Sequence, residues 1–106
     1  MAFSDNLRQL PSVAHLAGLD LLDASGTTAV AHIANKPGQA GSLAVYAALA
    51  AKHGGIITVA AAQEGLDIYA EHTADARANP GKHPSIDRLL KIIETDHALM
   101  VKLITA

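Results

Sequence analysis

The densest run of side chains able to do chemistry lies between Glu71 and Arg88. It holds Glu71, His72, Asp75, Arg77, Asn79, Lys82, His83, Asp87 and Arg88. Imidazole beside carboxylate is the equipment of acid–base catalysis, which His72 or His83 could perform next to Glu71 or Asp75. The same atoms suit zinc or another transition metal. No close ligand pair of the His-Glu-x-x-His kind is present, so no metal is assigned. A third chemistry is anion binding. Lys82 and His83 directly precede Pro84, and proline suits the first turn of a helix. Helix N-termini attract anions through free backbone N–H groups, and a neighbouring lysine adds to the attraction. The candidate ligand-binding residues are therefore His72, Arg77, Asn79, Lys82, His83 and Arg88. The ligand expected is a small anionic metabolite, a carboxylate or a phosphate. Protonation of His83 would strengthen its hold at mildly acidic pH. The competing structural reading is that Ser85 or Asp87 satisfies those N–H groups internally. No catalytic residue and no cofactor is assigned.

A second stretch, Asn35-Lys36-Pro37-Gly38-Gln39-Ala40-Gly41-Ser42, has the glycine, lysine and serine of a phosphate loop in the wrong order. The Walker pattern needs lysine and serine at the helix start, so nucleotide hydrolysis is not expected. Ser25, Ser42 and Ser85 sit in no Gly-x-Ser-x-Gly elbow. His32 reads as a satisfied core histidine at a strand end. His53 reads as a partner for the carbonyls at a helix C-terminus. His15 and His97 are spread over other elements.

The run Ala78-Asn79-Pro80-Gly81-Lys82-His83-Pro84-Ser85-Ile86-Asp87-Arg88-Leu89-Leu90 resembles the signature of a small bacterial family of domain-length proteins with no assigned function. The resemblance implies a bacterial, cytosolic protein. It carries over no catalytic residue, cofactor or substrate.

These residues need elements to position them. Ser4 or Asp5 can cap a short helix over Asn6–Leu10, and Pro11 can open a second one through Leu16, ended by Gly18. Leu19–Asp23 and Thr27–Ala34 read as strands joined at Ser25-Gly26. Ser42 can cap a helix running to about His53, with Gly54-Gly55 as its stop. Ile56–Ala61 is β-branched and reads as a strand. Leu66, Ile68 and Ala70 alternate with Asp67, Tyr69 and Glu71. The segment is ambiguous, since Gln63–Arg77 could be a helix, but that period of two behind a Gln63-Glu64-Gly65 turn favours a strand over Leu66–His72. Thr73–His83 then becomes a long loop. Pro84 starts a helix in which Ile86, Leu89, Leu90 and Ile93 share a face, with Asp87 and Lys91 paired on the wet side. Met100–Thr105 is the last strand. The hairpin, loop and helix recur, and Ala34-Asn35-Lys36-Pro37-Gly38 echoes Ala78-Asn79-Pro80-Gly81, so a duplicated unit is suggested. The expected fold is α+β in one domain, residues 1–106. It is a two-layer sandwich of a mixed, mostly antiparallel sheet with two main helices on one face, in the order ββαββαβ, after short N-terminal helices.

Composition bounds the partners. A chain of 106 residues that is 50% hydrophobic and 17% charged has one core and is not of disordered type. Eight basic residues against ten acidic ones give a net charge of −2. Neither a basic stripe nor aromatic interleaving is present, which argues against nucleic acid. Leu43–Ala51 is too short to span a membrane. Cysteine is absent, and an unstapled chain of this size favours the cytoplasm. Alanine-rich elements bury little area each, so a homo-oligomer is expected. The leading functional expectation is a binding or regulatory module for a small anion. The alternatives are an acid–base or metal-assisted enzyme using His72 and His83, or a protein-interaction module.

Overall fold

A computed structural model describes residues 2–106. Its elements are α1 (Phe3–Arg8), β1 (Leu16–Leu22), β2 (Ala29–Ala34), α2 (Ala40–Lys52), β3 (Ile56–Ile57), α3 (Val59–Tyr69), α4 (Glu71–Ala78), α5 (Pro84–Thr95) and β4 (Leu99–Thr105). The sheet order is β2-β1-β4-β3, and every neighbouring pair is antiparallel. This is the expected α+β class, a helical layer against one antiparallel sheet.

Strand alternation decides which sheet face is covered. Leu19 and Leu21 of β1 are fully buried, with Ile33 of β2 beside them. Asp20, between those leucines, stands in register with His32 on one side and Lys102 on the other. One face therefore packs on helices and the other carries a polar row. Against the covered face lie Leu43, Tyr46 and Leu49 of α2, Ala62 and Leu66 of α3, and Ile86 and Leu89 of α5. The apolar stripe expected for α5 is buried as Ile86, Leu89 and Ile92. Asp87 does not pair with Lys91; its carboxylate accepts from the Gly81 N–H at 2.9 Å.

The strand expected over Leu66–His72 is helix, and the second hairpin, the ββαββαβ order and the duplicated unit fall with it. Ile56–Ala61 contributes only a two-residue strand, because Thr58 caps α3 by accepting from the Ala61 N–H at 3.2 Å. The buried positions from there are Ala61, Ala62, Gly65, Leu66, Tyr69, Thr73 and Ala76, the three-and-four spacing of a helix face. Leu66 lies on that stripe and Ile68, partly buried, at its border, which mimics alternation. Gly65 is a packing site, not a turn. Thr73–His83 is not a long loop either, since α4 runs to Ala78. The layer thus holds α3 and α4 beyond the two main helices expected.

The N-terminal region also differs. The first helix begins at Phe3, with Ala2 as an N-cap that offers no side-chain bond, so neither Ser4 nor Asp5 caps it. Pro11–Leu16 forms no helix, and Gly18 lies inside β1. Ser42 lies inside α2, whose N-cap is Gln39. The stop at Gly54-Gly55 is as expected, with both residues at positive φ.

Ala70 joins α3 to α4 at φ 53° and ψ −119°. The Thr73 hydroxyl locks the bend by donating to the Leu66 carbonyl at 2.6 Å. An alanine in this region costs roughly 1–3 kcal/mol, and glycine's extra freedom when unfolded returns about 0.5–1 kcal/mol of any relief. Ala70→Gly is expected to raise stability by about 1 kcal/mol, read as a higher midpoint in urea unfolding. A lowered midpoint would mean that the Ala70 methyl stabilises the bend.

Candidate functional site

A cleft of about 580 Å³ opens where the N-terminal ends of α2 and α5 approach each other. The edge strand β2 supplies His32 and Ile33 to its wall, and the α3–α4 pair supplies Tyr69 and His72. Two tyrosines hold the helix ends in place. The Tyr46 hydroxyl, from the middle of α2, donates to the Ser85 carbonyl in the first turn of α5 at 2.5 Å. The Tyr69 hydroxyl donates to the Ser42 hydroxyl in the first turn of α2 at 2.7 Å. Burial pushes the Tyr69 phenol up to about 12, with the Ser42 and Ser85 hydroxyls pulling the other way. Burial also raises the Tyr46 phenol. Both phenols are therefore neutral donors at ordinary pH.

The ionisable lining is all basic in type. His32, His72, Lys82, His83 and Arg88 reach the cleft, and among the described residues no aspartate or glutamate does. Acids stand behind three of these bases. Asp75 on α4 receives His83 Nε2 at 2.6 Å and Lys82 Nζ at 3.0 Å. The His83 bond first, then the Lys82 bond, holds its carboxyl down to about 2. Asp20 receives His32 Nδ1 at 2.7 Å. His32 is therefore a half-exposed histidine in an ion-pair geometry, and the core-histidine expectation is corrected. Its side chain is 52% exposed, beyond what a core position allows.

Arg88 and His72 have no ion pair among the described residues. Of the two, Arg88 is the guanidinium, half-buried and lining the cleft.

An aromatic group forms the wall beside these bases. Phe3 stacks on Tyr69 at 5.0 Å between ring centroids, meets His72 edge-on at 5.1 Å, and His72 lies 5.5 Å from His83. Phe3 is brought there by α1, which is tied down by two bonds. The Phe3 N–H donates to Glu71 Oε1 at 2.8 Å, and Asn6 Nδ2 donates to the Ile68 carbonyl at 2.9 Å.

Of the residues expected to share a site, His72, Lys82, His83 and Arg88 meet in this cleft. Arg77 does not; it is exposed and borders a shallow depression with Gln63 and Asp67. Asn79 does not; its amide folds back on α4 and donates to the Asp75 carboxylate at 3.0 Å. His53 does not serve helix carbonyls as expected of it, because its ring bonds to Glu64 at 2.6 Å. Among the described residues, no three His, Asp or Glu side chains converge as a metal set would. No described helix is long and apolar enough to cross a membrane.

Sequence reasoning missed Phe3 and Tyr69, for which no signal existed. It read Asn35–Ser42 as a misordered phosphate loop without assigning it to the site, and the Gly38–Ser42 turn lines the cleft. Gln39 holds that turn by accepting from the Ala34 N–H at 3.0 Å. Asn35 anchors its start by donating to the Leu16 carbonyl at 2.7 Å.

No curated protein and no solved structure matches this chain. Residues 3–103 match a family whose description is "Uncharacterized protein conserved in bacteria (DUF2322)", and the chain belongs to that family.

Proposed function

We propose that this protein is a binding module for a small anion, seated in the cleft between the starts of α2 and α5. Arg88 carries the reading. A half-buried guanidinium without a carboxylate partner bears a desolvation cost, and a bound anion would offset it. Arginine offers a planar pair of N–H donors that fits carboxylate or phosphate. Lys82 and His83 already share Asp75, so they would contribute less. The first turn of α2 would add the Gly41 and Ser42 N–H groups, and that of α5 the Ser85 N–H, since Pro84 has none and the Ile86 and Asp87 N–H groups bond to the His83 carbonyl. Asp87 engages the loop N–H of Gly81, and no side chain caps α5, so the internal-capping alternative is not realised.

The acid–base alternative draws on the Asp75–His83 pair, in which a carboxylate fixes one imidazole nitrogen. Binding is preferred because Arg88 asks for a ligand and no nucleophile stands in a catalytic arrangement with His83. The lack of cysteine supports a reducing compartment such as the cytoplasm. Exposed Val30, Met100 and Leu103 support self-association.

Calorimetric titration with inorganic phosphate and sulfate tests the proposal. Arg88→Gln is expected to weaken binding at least tenfold, since a hydrogen bond to a charged group contributes roughly 1.5–3 kcal/mol. Lys82→Ala is expected to weaken it less and to change stability by no more than about 1 kcal/mol, as for exposed ion pairs. Unchanged binding in Arg88→Gln, or no binding by the unaltered chain at millimolar anion, would overturn the reading.

A further inference from the structure

We infer that the ligand of this cleft joins its anionic group to an aromatic ring, in the simplest form an aryl phosphate monoester. The inference rests on the anion reading and narrows its ligand class. Size is the first observation. A bare tetrahedral anion would fill only a small part of about 580 Å³, a volume within the range of sites for organic ligands.

The wall chemistry is the second. Rings of Tyr69, Phe3, His72 and His83 follow one another in that order at 5.0–5.5 Å. They continue directly into the cationic side that ends at Lys82 and Arg88. Aromatic faces and edges are complementary to another ring in stacked or edge-on geometry, which an alkyl chain cannot reproduce. Tyr69 is nearly fully buried, whereas Phe3 is half-buried and borders the open space. Phe3 arrives on a helix that contributes no fully buried residue, and two polar bonds from that helix to Glu71 and Ile68 fix where its ring stands. A ring seated against Phe3 would have its anionic substituent directed to Arg88 and the start of α5.

The test is calorimetric titration of the full chain with inorganic phosphate, phenyl phosphate and hexyl phosphate. Phenyl phosphate is expected to bind at least fivefold more tightly than either of the others. Phe3→Leu keeps apolar bulk but removes the ring. It is expected to bring phenyl phosphate to the level of hexyl phosphate and leave inorganic phosphate unchanged. Circular dichroism matching the unaltered chain would confirm that the variant folds. Phenyl phosphate binding no tighter than inorganic phosphate, or hexyl phosphate binding as tightly as phenyl, overturns the ring and leaves the anion site standing. Failure of all three ligands to bind overturns both.

Discussion

Gly18→Ala is expected to cost about 3 kcal/mol of stability. An alanine Cβ at this position would stand 2.5 Å from the Ile33 carbonyl oxygen and 3.2 Å from Ala34 Cα. Both are backbone atoms of the neighbouring strand, so no side-chain rotation relieves the clash. Gly18 lies in the middle of the sheet, paired with Ala34 of β2 and with Ile104 of β4. The register shifts between Leu16 and Gly18 on the β4 side. A glycine inside a strand often marks such a close backbone approach. Its φ is not left-handed, so the cost comes from crowding and not from backbone conformation. Overpacking costs typically 1–3 kcal/mol, and a rigid backbone neighbour sets this case at the upper end. Against the roughly 5–15 kcal/mol that stabilises a small domain, the loss is large. Relief requires β2 to move outward, and β2 carries His32 and Ile33 of the cleft wall. Urea unfolding of the variant is the measurement. A loss below about 0.5 kcal/mol would mean that β2 slides freely.

Local signals and long-range ones had different fates. The start of α5 was legible because proline at a helix opening and leucine or isoleucine at helical spacing act within a dozen residues. The same locality brought Lys82, His83 and Arg88 into the expected site, all within the turn and a half around Pro84. Gly54 and Gly55 were legible as a helix stop for the same reason. The segment after Ile57 was not. Leu66 and Ile68 satisfy a period of two, while Ala62, Leu66 and Tyr69 satisfy a helical one. The Thr58 cap favours the helix locally, and the burial of Gly65 between leucines of two other helices separates the readings further on, which is a tertiary fact. The error propagated to Arg77. As part of a loop it could have turned towards His72, but on α4 the two are five residues apart, about 140° around the helix axis. Asn79 failed similarly, because the end of a helix gave its amide a local partner in Asp75. Phe3 and Tyr69 meet only because α1 docks across α3 and α4, and no spacing in the sequence encodes that contact.

The close approach of α3 and α5 predicts the second large effect. Leu89 is fully buried, and a Cβ on Gly65 would stand 2.7 Å from its Cδ1 and 2.9 Å from Leu49 Cδ1. The missing side chain at Gly65 is thus the notch that a leucine from α5 fills, with a leucine from α2 beside it. Leu89→Ala is expected to cost about 4 kcal/mol, in the upper half of the roughly 2–5 kcal/mol range for buried leucines, since it removes contacts and leaves a cavity. Gly65→Ala is expected to cost about 1–2 kcal/mol. Two crowded leucines oppose the new methyl, while alanine's better helix propensity returns up to about 1 kcal/mol. The combination is the sharper result. With Leu89 shortened, the methyl at position 65 occupies part of the vacated space and the propensity gain is realised. The contact with Leu49 persists, so compensation is incomplete. The double variant is expected to be more stable than the sum of the single losses by about 1–2 kcal/mol, within the range for residues in direct contact. Urea unfolding of the four proteins measures this coupling. Additivity within about 0.5 kcal/mol would show that Leu89 and position 65 do not share the space. The same notch fixes how closely α3, carrying Tyr69, stands to α5, carrying Arg88. Gly65→Ala alone should therefore also weaken phenyl phosphate binding, by widening the distance between the ring wall and the guanidinium.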